Sequence, residues 1–147
     1  MPSLIDPEVL FTSIWTYLFA PTGTKPALYT ALTGRLYRNQ APQGATWPYA
    51  TWHLIADEDD DVLSTDNAVL TIQFNLFSDT PKTTEVSGLF QKLKALFNNC
   101  GATLTMSGYV CSVVEGWGPA VAQFNVEDPE GRYHQVSKTY RFTLEAT

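Results

Sequence analysis

The clearest pattern along the chain is an alternation: Leu70, Ile72, Phe74 and Leu76 fall on one side, and Thr71, Gln73 and Asn75 on the other. Successive side chains of a strand point to opposite faces, so residues 70–77 predict a strand with one core face and one polar face. The same period returns near the end of the chain. There Tyr140, Phe142 and Leu144 alternate with Thr139, Arg141 and Thr143, predicting a strand over 136–144. Between the two the period changes. Val86, Leu89, Phe90, Leu93, Leu96 and Phe97 recur three and four residues apart, with Gln91, Lys92 and Lys94 opposite, which is the spacing of an amphipathic helix over 81–99. Asn98, Asn99 and Gly101 supply residues that tolerate a left-handed turn at its end.

The N-terminal part reads as two helices. Asp6, Pro7 and Glu8 supply in order a capping oxygen, a ring that presets the first helical φ and a charge matched to the dipole. A helix over 7–19 follows, with Leu10, Ile14 and Leu18 as its stripe and Phe11, Trp15 and Phe19 beside it. Pro21, Gly23 and Pro26 interrupt, and a short helix through Leu28 and Leu32 stops at Gly34. A short strand at 35–38 leads through a turn-rich connection with two prolines and a glycine, residues 41–48, into a strand over 49–55. The acidic run Asp57-Glu58-Asp59-Asp60-Asp61 ends that strand, because five like charges repel one another and require solvent. Two further strands are expected at 102–106 and 109–114. These elements sum to one α+β domain over 1–147: a mostly antiparallel or mixed sheet, helices packed on one face, and an N-terminal helical segment. The polar faces of the two clearest strands read as ordinary surface or as a polar interface.

Composition adjusts this picture little. Of 147 residues 44% are hydrophobic and 13% aromatic, enough for a packed core. Nine basic against fifteen acidic side chains give a formal charge of −6, so the mean field repels phosphate and argues against general nucleic-acid binding. Local basic pairs, Arg35 with Arg38 and Lys92 with Lys94, read as solvated faces. Cys100 and Cys111 stand ten residues apart without a second pair to complete a zinc site, and their pairing stays open. The chain reads as a soluble product of the cytoplasm, without an export leader or an apolar run long enough to span a bilayer.

Catalytic patterns are absent from the sequence: it has no phosphate-binding glycine loop, no nucleophile elbow and no histidine pair at metal-ligand spacing. His53 and His134 each stand alone and read as structural. The acidic run could hold a divalent cation, and a metal-assisted hydrolase using Asp57, Asp59 and Asp61 is the competing reading from a different class. Adjacent carboxylates do not converge as spaced ligands do, however, and no general base stands beside them. The run fits better as a charge that sets register against a neighbouring subunit. Trp52 belongs in the core, whereas Trp47, beside Pro48, and Trp117, between two glycines, read as loop contacts. The candidate interface residues are therefore Trp47, Tyr49, Asp57, Asp59, Asp61 and Trp117, with no catalytic residue, metal or cofactor.

The order of elements carries a resemblance. A two-part helical segment leads to Leu36-Tyr37, then Ala41-Pro42-Gln43-Gly44 and Trp47-Pro48-Tyr49, a polar loop, the strand from Leu70 to Phe77, the amphipathic helix from Glu85 to Phe97, and a closing strand with Tyr140 to Leu144. From about residue 9 to residue 145 this resembles the tail-completion, or tail-terminator, proteins of long-tailed bacteriophages and their prophage relatives. The stretch between Pro21 and Pro26 and the acidic run depart from the plain pattern. The resemblance implies a non-catalytic virion subunit that forms a homo-oligomeric ring, commonly a hexamer, in the tail or neck. Such a ring sits on the last ring of the tail-tube protein, stops its polymerisation and offers a surface to the head-completion or connector protein, with DNA met only in transit. Another neck or tail-tube component, and a small monomeric binding module, are the remaining readings.

Overall fold

The computed structural model describes residues 6–59, 67–98, 104, 106, 108–116, 118–128 and 131–146. Helix α1, Pro7–Phe19, starts where Asp6 Oδ1 accepts a hydrogen bond from the Glu8 amide at 3.0 Å. Its buried side is Leu10, Phe11, Ile14 and Leu18. Ala20 takes a left-handed conformation at its end, and Lys25 Nζ reaches back to the carbonyls of Phe19 (2.7 Å) and Ala20 (3.2 Å), covering acceptors that the helix leaves without partners. Helix α2, Ala27–Leu32, stops at Thr33 and Gly34, both left-handed. At Gly34 the positive φ favours glycine, and a Cβ would also lie 3.0 Å from the Tyr29 hydroxyl, so that ring would have to shift.

Strand β1, Leu36–Arg38, lies parallel to β2, Tyr49–Asp59. Strand β2 pairs antiparallel with β3, Asn67–Ser78, and β3 with the long β6, Gly131–Ala146. The far side of β6 is shared by two strands laid end to end. Strand β4, Tyr109–Gly116, pairs with residues 140–146, and β5, Val121–Asp128, pairs with residues 131–137. The order is β1-β2-β3-β6 with β4 and β5 at the second edge, a mixed sheet whose single parallel pair among the described strands is β1 with β2.

Helix α3, Thr84–Phe97, crosses the same face of the sheet as α1. Its Val86, Leu89, Leu93 and Phe97 pack on Leu70, Ile72, Phe74, Tyr140 and Phe142, all of them buried. Phe97 is the central contact, with ring centroids 4.6 Å from Phe74, 5.6 Å from Tyr140 and 5.5 Å from Tyr17 of α1. Burial of one such side chain is worth about 1.5–3 kcal/mol. Two hydrogen bonds orient α3: Ser78 Oγ donates to Glu85 Oε1 at 2.6 Å near its start, and Tyr17 Oη donates to the Leu96 carbonyl near its end.

The structure departs from the sequence reading at several elements, and one expected strand lies mostly outside the described residues. Strand β2 does not end before the acidic run; it continues to Asp59. A bulge between Leu54 and Ala56 resets the register so that Asp57 lies opposite Leu70, while the Asp57 side chain, beyond the end of β1, stays exposed to water. Asp60 and Asp61 lie outside the described residues. Strand β5 was not expected, since its own bulge between Gln123 and Val126 breaks the alternation. The strand expected at 102–106 falls mostly outside the described residues, although Leu104 is buried and Met106 bridges to Tyr109. Helix α3 is shorter than 81–99 and ends on Asn98 in an extended conformation, not a left-handed one. Cys111 is buried on β4, and Cys100 is not among the described residues.

Candidate functional site

The sheet face away from the helices carries the polar rows, and strand register assembles them. Thr51, Asn75 and Ser137 sit side by side on β2, β3 and β6, with His53, Gln73 and Thr139 in the row two residues along. Asn75 is buried and joins three neighbours. Its Oδ1 accepts from Gln73 Nε2 and from Ser137 Oγ, both at 2.7 Å, and its Nδ2 donates to Thr51 Oγ1 at 3.2 Å. Gln135 Nε2 donates to Ser137 Oγ at 3.2 Å and extends the chain. This face is thus a connected amide and hydroxyl network, and Asn75 is a buried member of it rather than plain surface.

One end of that face is aromatic. Tyr49 and Phe77 are register partners and stack with centroids 4.9 Å apart. Trp47 lies 4.9 Å from Tyr49 and 5.6 Å from Tyr133, and Tyr133 lies 6.0 Å from Phe77. The two ring residues expected at an interface, Trp47 and Tyr49, therefore come together, half-buried. Phe77 and Tyr133 were missed. The signal for Phe77 was present, an aromatic side chain where the strand period calls for the polar face, whereas Tyr133 precedes the expected strand, which the structure begins at Gly131. The segment 39–48 folds beside these rings and, with Tyr49, Thr51 and Phe77, bounds an open cleft of about 350 Å³. Arg35 holds it in place, its Nε donating to the Pro48 carbonyl (2.8 Å) and its Nη2 to the Trp47 carbonyl (3.3 Å).

Asp57 and Asp59, at the far end of β2 from Tyr49, do not join this cluster. Asp57 is on β2 past the end of β1, Asp59 closes the same strand, and Asp61 and Trp117 lie outside the described residues. Among the described residues no three His, Cys, Asp or Glu side chains converge as metal ligands, and no helix is long and apolar enough to cross a membrane. The ion pair with the clearest geometry is Glu8 with Arg38, whose two nitrogens meet the two carboxylate oxygens at 2.9 and 2.6 Å. The guanidinium also lies 4.2 Å above the Phe11 ring. These hydrogen bonds hold the Glu8 carboxyl below its ordinary value and raise Arg38 above its own. They tie the start of α1 to β1 at the sheet edge.

Half-buried rings and uncharged amides can pack against another chain as well as face water. The class is that of a structural assembly subunit. The chain belongs to the tail completion protein gp17 family, whose sequence model matches residues 16–145, and it is a structural protein of the phage virion tail. Among solved structures, a chain from the virion of a native gene transfer agent (GTA) particle has the same fold. It superposes with a TM-score of 0.74 over 98% of this chain and 100% of that one, at 16% identity. A second solved chain is similar with a TM-score of 0.54, 14% identity and coverage of 97% and 96%. No curated protein matches the sequence.

Proposed function

We propose that the protein is a non-catalytic tail terminator. In this reading several copies close into a ring, commonly of six, which caps the end of the tail tube and presents its other side to the head-completion or connector protein. The observation that carries it is the family match across residues 16–145, nearly the whole chain. The geometry supports it. A subunit that stops polymerisation needs lateral edges for its own copies and two different faces for two partners, and it needs no reaction. Here a helical face and a polar, aromatic-rimmed face lie on opposite sides of one sheet. We assign Trp47, Tyr49, Asp57, Asp59, Asp61 and Trp117 to contact with a neighbouring subunit or partner. The ring belongs to the tail or neck of the virion, is made in the host cytoplasm and meets DNA only in transit.

The test is tube growth in vitro. Tail-tube protein is polymerised with and without this protein and tube lengths are measured by electron microscopy. Shorter tubes carrying an extra ring at one end are expected. Tubes of unchanged length with bare ends reject the terminator role.

A further inference from the structure

All five large hydrophobic residues that are exposed among the described residues lie at the margins of the sheet: Trp15 and Ile55 on the β1–β2 side, and Val110, Val121 and Phe124 on the β4–β5 side. The two sides differ in kind: one holds a cleft, the other an exposed ring. On the β1–β2 side, α1 and β1 leave a cleft of about 220 Å³ walled by Phe11, Trp15, Leu36 and Trp52, with Thr12 and Arg38 at its border. On the opposite side, the β5 bulge turns Phe124 out of the ladder, 48% exposed, with its ring against His134 at 5.7 Å. His134 is in register with Ser78, whose hydroxyl bonds α3, so knob and cleft lie on the helix-covered side of the sheet. Neither β4 nor β5 contains Lys, Arg or Pro, although each is short and bulged.

We propose that Phe124 of one copy inserts into the α1–β1 cleft of the next, making a head-to-tail contact between opposite edges of identical subunits. The occupant is a second copy of this chain, because knob and cleft sit on opposite margins of one molecule and so cannot meet within it. A patch that fits a different patch on its own copy generates a ring if the rotation closes, and a filament if it does not. Inside the cleft the Phe124 ring meets Phe11, Trp15 and Trp52, and the Arg38 guanidinium, already over the Phe11 ring, offers it a cation–π partner. This contact rests on the ring reading above and supplies its lateral surface.

The experiment uses the whole chain and sedimentation across a wide concentration range. Phe124→Lys spoils the knob and Trp15→Lys spoils the cleft; Thr12→Arg, at an exposed position, blocks the cleft without removing a wall and serves if Trp15→Lys misfolds by circular dichroism. Each variant alone should associate about tenfold or more weakly than the native chain. The mixture of a knob variant with a cleft variant should form a one-to-one dimer that grows no further, since one good knob and one good cleft remain. A native chain that associates while both variants associate equally well overturns this contact and leaves the terminator reading standing. So does a mixture that stays monomeric. A native chain that is monomeric throughout overturns the self-contact, and the tube-growth assay then decides the terminator reading separately.

Discussion

Asn75 spends its side chain on the network that joins β2, β3 and β6, accepting from Gln73 and Ser137 and donating to Thr51. Removing it leaves three polar partners on a largely covered face. Asn75→Ala is expected to lower stability by about 1–3 kcal/mol, read as a shifted midpoint in chemical denaturation. A shift within error would mean that water replaces the amide at no cost. Glu8 gives a pH signature instead. Arg38 holds its carboxyl below the ordinary value of 4.5, so the stabilisation is complete above that value and is lost as pH falls through the lower, folded value. Thermal melts between about pH 6 and pH 3 should show the native chain losing more stability than Glu8→Gln does. Parallel curves for the two proteins would remove the pair from the account.

At the scale of elements, α3 is held by one residue more than by any other. Phe97 meets Phe74, Tyr140, Phe142 and Tyr17, which come from two strands and a second helix. Phe97→Ala should cost about 3–5 kcal/mol, measured by denaturant unfolding, because the surrounding rings are fixed by the sheet and cannot collapse into the space. A loss near 1 kcal/mol would mean the layer is far more pliant than its packing implies. The helices were legible because their apolar stripes are continuous and their starts and stops are chemical: Asp6 and Pro7 open α1, and Thr33 and Gly34 close α2. The two bulged strands were harder to read. A bulge shifts the parity of every later residue, so β5 lost its alternation at Phe124, while β2 was taken to end before Asp57 because the acidic run was read as requiring solvent.

For the whole molecule, the formal charge of −6 opposes the gathering of identical subunits. If lateral contact is apolar, as Phe124 and its cleft imply, raising salt from about 0.02 M to 0.2 M should strengthen self-association by screening that repulsion. Sedimentation at a fixed protein concentration reads the effect. Association that weakens with salt would point to an interface made by ion pairs, with the acidic run at its centre.

The sequence by itself determined the α+β class, the helix over the sheet and the core rows through Phe74 and Tyr140, because these rest on periods and caps that act within a few residues, and the order of those elements along the chain carried the family. Tertiary structure decided the rest. It chose the parallel pairing of β1 with β2, laid β4 and β5 end to end along β6, gathered Trp47, Tyr49, Phe77 and Tyr133 from segments far apart in the chain, and set Phe124 and the α1–β1 cleft on opposite margins. Local patterning fixes which face of a strand is apolar, but strand order and register follow from the long-range pairing of backbones, and that pairing puts distant side chains together.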